Sequence, residues 1–252
     1  MSAKDKLRKF RENESFSCLY QPTTQEVLNK DYSLKGKWGR EVFKNSNPII
    51  LELGCGKGEY TIELAKKFPN NNYIGIDIKG ARLWKGAKYS TEHSLNNVAF
   101  IRTRIDFIDS IFDKEEISQI WITFPDPQIQ KHRKRLTGPM FIARYQKFLK
   151  PDAIINLKTD SRFLYEYTLA LCNCNNFNVL EADNDIYGNK NSKEVLSIKT
   201  FYEAHYLRLG LNITYLAFNP SNADKLVEPL WDEVYWEEEE KKGRELSRAN
   251  KG

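Results

Sequence analysis

From Pro48 onward the apolar residues of this chain fall into short runs separated by mixed stretches of helix length. The first run covers residues 49–53 and ends in a glycine turn, after which a helix-like stretch leads through Phe68 to a second run at 73–78. Runs of that length around an amphipathic stretch predict a βαβ unit. Further runs at 98–102, 117–123, 153–157, 177–180 and 211–217 repeat the pattern, mostly with helix-length segments between them. Such alternation predicts an α/β fold with a mostly parallel, doubly wound sheet, whose ligands sit beyond the carboxyl ends of the strands. Residues 15–47 mix aromatic and polar side chains without a period, so no element is assigned to them.

The two ends read differently from the middle. Residues 1–14 carry Lys4, Lys6, Arg8, Lys9 and Arg11 with little to bury, which predicts a flexible basic arm. Residues 231–252 form a charged tail in which Glu237 to Glu240 precede Lys241 and Lys242, a spacing suited to a solvated helix with i,i+4 pairs. Between them, 15–230 is expected to be one domain.

Composition narrows the function classes. A formal net charge of +5 does not itself demand nucleic acid, but the run Lys131-His132-Arg133-Lys134-Arg135 is a dense positive cluster. Cys18, Cys55, Cys172 and Cys174 form no CxxC pair, and His93, His132 and His205 are scattered, so no metal site is expected. Reduced thiols, no secretory leader and no apolar run of membrane-spanning length together point to a cytoplasmic protein.

Two stretches carry candidate chemistry. Glu52-Leu53-Gly54-Cys55-Gly56-Lys57-Gly58 closes the first strand, and Asp77 ends the second, from where a carboxylate reaches ribose hydroxyls in this class of fold. Glu52 disfavours a pyrophosphate and suits a cationic sulfonium and amino group, so S-adenosylmethionine fits better than a nicotinamide dinucleotide. Asp106, just past the third strand, is placed either to accept from an adenine amino group or to cap a helix. The second stretch is Phe124-Pro125-Asp126-Pro127, a carboxylate between two prolines directly ahead of the basic run. Proline fixes φ on both sides, so Asp126 is aimed, and the loop suits chemistry on a polyanion.

With Lys158-Thr159-Asp160 at a later strand end and Thr200-Phe201-Tyr202-Glu203 ahead of an apolar helix, these motifs in this order resemble the bacterial tRNA (guanine-N7)-methyltransferase family, over roughly residues 49–216. The resemblance implies a Rossmann-like class I S-adenosylmethionine-dependent methyltransferase fold with an antiparallel strand near the C-terminus. It also implies methyl transfer to N7 of the guanine at position 46 in the tRNA variable loop. It assigns Glu52, Gly54, Gly56, Asp77, Asp106 and Asp126 to the cofactor, with Asp126 also catalytic, and Asp160, Thr200, Phe201, Tyr202 and Glu203 to the substrate. A substrate-contacting lysine of the family aligns with Gln130, and the adjacent Lys131 is the alternative.

Asp160 and Glu203 are acceptors suited to guanine N1–H and the exocyclic amine, or else helix caps. Lys131, Arg133, Lys134 and Arg135, with the basic arm, are the candidate phosphate contacts. The expected partner is tRNA, with no membrane and no obligate protein partner, for a monomer or homodimer. The rival readings are a methyltransferase for an exocyclic base amine or a protein side-chain amide, a cofactor-binding RNA module without turnover, and, last, a nicotinamide oxidoreductase.

Overall fold

The computed structural model describes residues 3–189, 193–220 and 225–249, with side chains from 4 to 242 within those spans. The chain groups into two compact units, Met1–Trp121 with Lys147–Lys150, and Ile122–Gln146 with Pro151–Gly252.

The first unit holds helix α1 (Ala3–Asn13), strand β1 (Leu19–Tyr20), the short helix α2 (Thr24–Val27), β2 (Ile49–Leu53), α3 (Glu59–Lys67), β3 (Asn72–Asp77), α4 (Gly80–Glu92) and β4 (Val98–Arg102). Its strands pair in the order β1-β4-β3-β2, all parallel. Every residue of β2 and β3 is buried, as a parallel strand covered on both faces requires. Phe100 of β4 is fully buried, and its ring fills the space beside Gly58, Gly75 and Gly86. A Cβ at Gly58 would lie 2.5 Å from that ring, so this glycine is needed for packing as well as for its φ of +73°.

The basic arm is helical here. Asn13 at its end is buried and donates to the Gly80 carbonyl at 2.9 Å, while the Trp84 indole N–H of α4 donates to Glu12 at 2.6 Å. Arg8 and Lys9 lie 5.0 and 4.8 Å from the Trp84 ring centre, so α1 covers an aromatic side chain that the polar look of the segment did not announce.

Strand β5 (Ile117–Thr123) passes from the first unit into the second. The second unit continues with α5 (Pro139–Tyr145), β6 (Leu149–Thr159), which begins in the first unit, α6 (Arg162–Cys174), β7 (Asn178–Asp183), α7 (Phe201–Arg208), β8 (Thr214–Asn219) and α8 (Glu233–Ala249). Here β8 lies between β6 and β7 and is antiparallel to both, the reversed strand near the C-terminus that was expected. The predicted run at 211–217 is shifted along the chain in β8, because a turn at Gly210, with φ +73°, first ends α7. The charged tail is α8 as far as residue 249, and 250–252 lie outside the described residues.

Candidate active site

The first unit gathers Glu52, Gly54, Gly56 and Asp77 at one turn. Gly54 and Cys55 donate to the Ile76 carbonyl at 2.8 and 3.0 Å, which fastens the turn to the end of β3. Asp77 is buried, and its two carboxylate oxygens accept from the Gly56 N–H at 3.0 Å and the Lys79 N–H at 2.7 Å. Gly54 and Gly56 have φ of +75° and +58°, and a Cβ at either would meet nothing within 4 Å. These two glycines therefore border open space, unlike Gly58. Open space at a turn with a carboxylate at its edge fits an adenosine ligand, and each Asp77 oxygen keeps a second lone pair for a ribose hydroxyl.

Glu52 is 3 % exposed and accepts from the Thr61 N–H at 2.8 Å and from the Thr61 hydroxyl. A carboxylate from β2 set against the first turn of α3 satisfies an otherwise orphan amide and complements the helix dipole. Its place is behind the turn, as an anchor of the helix that the turn opens. Burial, followed by the charges of Glu52 and Asp77, holds the Cys55 thiol well above its ordinary pKa, so it stays protonated. Asp106 neither caps a helix nor is buried: the cap position of its short 3₁₀ turn is Arg104, whose guanidinium chelates the Asp106 carboxylate at 3.1 Å.

In the second unit Lys158 bonds to both the acid-proline loop and Glu203. The Phe124 N–H at the head of the acid-proline loop donates to the Lys158 carbonyl at 2.8 Å, two residues before Asp160. Phe124 and Gln128, both non-glycine, take left-handed φ of +49° and +51° on either side of Asp126. Conformations of that kind cost free energy and persist where the surroundings hold them, often at functional sites. Asp126 is exposed, and its Oδ1 accepts from the Gln128 N–H at 3.2 Å, a local turn that orients the carboxylate. Gln130 and Lys131 are both exposed.

Asp160 is half-buried and is not the cap of α6, a role taken by Ser161, whose Oγ accepts from the Leu164 N–H at 3.1 Å. Thr200 is the cap of α7 and shares a capping box with Glu203. Phe201 and Tyr202 are 58 % and 43 % exposed, two ring faces at the start of α7. The rings of Phe124 and Tyr206 lie 5.9 Å apart, which ties the loop to α7 as well as to β6.

Two expectations need correction. Glu203 is fully buried, 2.6 Å from the Lys158 ammonium, and also accepts from the Tyr187 hydroxyl at 2.6 Å. Its lone pairs serve this network and the cap of its own helix, so it does not face a base. Lys158 adds bonds to the Leu196 and Ile198 carbonyls at 2.8 and 2.9 Å. Burial draws its pKa down, and Glu203 opposes that shift. Burial and the bond to Glu203 push the Tyr187 hydroxyl up.

The second correction concerns Arg135, which is 2 % exposed while Lys131, Arg133 and Lys134 are exposed as expected of phosphate contacts. Thr61, Lys158 and Tyr187 also join these clusters, beyond the site residues expected from sequence. Of these only Lys158 left a signal, a cation directly following an apolar run, which implies a buried partner.

All four cysteines are free, and among the described residues no group of His, Cys, Asp and Glu is placed to hold a metal. No described helix is long and apolar enough to cross a membrane.

A family model described as "Putative methyltransferase" matches residues 46–216. The KamB 16S rRNA methyltransferase structure aligns at a TM-score of 0.55 with 12% identity, covering 77% of this chain and 96% of that one. A 16S rRNA (adenine(1408)-N(1))-methyltransferase from Catenulisporales acidiphilia aligns at 0.51 with 11% identity, covering 76% and 93% of the two chains. At that identity the likeness speaks to fold, which is a Rossmann-like class I methyltransferase fold.

Sequence relatives are much nearer. A tRNA (guanine-N(7)-)-methyltransferase of Christiangramia forsetii is 54% identical over 86% of this chain and 99% of its own length. One of Bacteroides thetaiotaomicron is 46% identical over 90% of each. One of Clostridium acetobutylicum is 39% identical over 75% of this chain and 88% of its own. With that identity and coverage, and with the acid-proline loop and glycine turn in place, the chain belongs to the tRNA (guanine-N7)-methyltransferase family.

Proposed function

We propose that this protein methylates N7 of the guanine at position 46 in the variable loop of tRNA, with S-adenosylmethionine as donor. The observation that carries the reading is the exposed Asp126, held between two left-handed residues on a loop fastened to the strand that ends just before Asp160.

Guanine N7 is an acceptor that bears no proton at neutral pH, so the nucleophile needs no base. S-adenosylmethionine supplies an electrophilic methyl group on a sulfonium. The work left to the protein is placement and charge. Asp77 and the Gly54–Gly56 backbone hold the adenosine part, Glu52 sets the helix behind them, and Asp106 is offered to the adenine once Arg104 releases it. Asp126 orients the reacting groups, and its charge offsets the cation developing on the purine as N7 takes the methyl.

On the substrate side, Asp160 accepts from guanine donors and Thr200 fixes the start of α7. Phe201 and Tyr202 present exposed rings to an unstacked base. Glu203 acts through Lys158, as support. Lys131, Arg133 and Lys134 meet phosphate, and Gln130 or Lys131 fills the family's lysine position. We place the protein in the cytoplasm as a monomer or homodimer without an obligate protein partner.

The test is to incubate the purified protein with total tRNA and labelled S-adenosylmethionine and map the modified base. Label at N7 of guanine 46, lost from tRNA carrying adenine there, is the expected result. Label on an exocyclic amine, on protein or at another base overturns the reading.

A further inference from the structure

Arg135 ends the basic run yet is withdrawn from solvent. Its guanidinium reaches three consecutive carbonyls of the acid-proline loop: Nε donates to Pro127 at 3.2 Å, and Nη2 to Gln128 at 3.1 Å and Ile129 at 2.9 Å. Nη1 lies 3.4 Å from Glu228 Oε1, the atom that also accepts from the Tyr167 hydroxyl at 2.7 Å. The ring centres of Tyr167 and Phe163 stand 3.9 and 4.8 Å from the guanidinium carbon. Burial, then the bond to Glu228, pushes the Tyr167 hydroxyl up, so this phenol stays a donor.

Consecutive carbonyls do not point the same way in an extended chain, so their convergence on one cation requires the backbone to curl. The curl is at Gln128, whose φ is +51° and whose N–H orients Asp126. A planar fork with donors along two edges can serve these acceptors together, whereas an ammonium is a point charge on a flexible stem.

We infer that Arg135 is the positioning residue of the acid-proline loop: by gathering the Pro127, Gln128 and Ile129 carbonyls it holds the strained turn that aims Asp126, and it does not contact tRNA. The assignment rests on the reading of Asp126 as the catalytic acid, and it separates Arg135 from its exposed neighbours Arg133 and Lys134.

The experiment compares wild type, Arg135→Lys and the milder Glu228→Gln by kcat and KM for tRNA, tRNA affinity against salt, melting temperature, and trypsin cleavage after Lys131, Arg133 and Lys134. For Arg135→Lys, kcat should fall about a hundredfold at saturating tRNA, as loss of alignment produces. The tRNA Kd should stay within about twofold, with an unchanged salt slope. Trypsin should nick the loop about tenfold faster at temperatures where the rest of the chain stays folded. Glu228→Gln should shift kcat and nicking the same way by about threefold, because that side chain is partly exposed.

A flatter salt slope and weaker tRNA binding with kcat kept would make Arg135 a phosphate contact and overturn the inference. A lowered melting temperature with neither faster nicking nor lower kcat in both variants would make it a packing residue only, and also overturn it. If wild type methylates no tRNA, the proposed function falls, and nicking alone then decides whether Arg135 holds the loop.

Discussion

The turn after β2 and the loop after β5 both need left-handed backbone, and they obtain it by different means. In the first unit Gly54, Gly56 and Gly58 adopt positive φ without a Cβ penalty, and the turn is finished by bonds to Ile76 and Asp77 at the end of β3. In the second unit Phe124 and Gln128 adopt it with side chains in place, and the loop is held from outside: by the Lys158 carbonyl, the Arg135 guanidinium and Tyr206. A glycine turn carries its conformation with it. The strained loop depends on its support, and mutations in that support should damage turnover while the glycine turn and its ligand are left alone.

The largest expected effect is at the buried pair. Glu203→Gln leaves Lys158 without a counter-charge in the interior and should cost about 3–5 kcal/mol, read as a lowered denaturant midpoint. The pKa of Lys158 in the fold is already below its ordinary 10.5, and loss of Glu203 lowers it further. The unfolded chain then holds more protons than the fold between that lowered value and 10.5, so the variant should regain stability as pH rises through this window. A deficit that does not shrink with pH would show that the pair matters for packing and not for charge.

Next is Asp126→Asn. It should lower kcat by roughly 10²–10³, comparable to removing a group that stabilises developing charge, with tRNA affinity nearly unchanged. Single-turnover methyl transfer at saturating tRNA measures it, and full turnover would remove Asp126 from the chemistry.

The two kinds of glycine should separate in the first unit. Gly58→Ala forces a Cβ onto the Phe100 ring and a left-handed φ on alanine, for about 2–4 kcal/mol of stability. Gly56→Ala meets no neighbour and should cost about 1 kcal/mol, showing itself mainly as weaker S-adenosylmethionine binding by calorimetry. Equal losses of stability would erase the distinction between packing and ligand-facing glycines.

The smallest effect is expected for Gln128→Gly. Relief of the left-handed strain and the added freedom of the unfolded chain nearly cancel, so stability should move by no more than about 1 kcal/mol. Turnover should fall roughly three- to tenfold because Asp126 is held less firmly. Thermal melting and steady-state kinetics on the same sample check both.

Legibility follows the same divide. The strands at 49–53, 98–102 and 117–123 were readable from periodicity to the residue, and the glycine turn with Asp77 twenty-odd positions on was readable from spacing. Arg135 and Glu203 were not, because nothing local distinguishes a buried arginine from the solvated lysines beside it, or a helix-capping glutamate from one that faces a base. Tyr187, Leu196 and Ile198 complete the Lys158 network from a stretch with no motif at all.

The sequence by itself determined most of the elements from residue 49 onward, the glycine turn, the acid between two prolines and the family, since each is written in contiguous residue types whose backbone preferences act locally. Only the tertiary structure decided which charges face outward. Burial and pairing depend on what distant segments bring to a side chain, and in a low-dielectric interior that company determines whether a charge is a ligand contact or a brace.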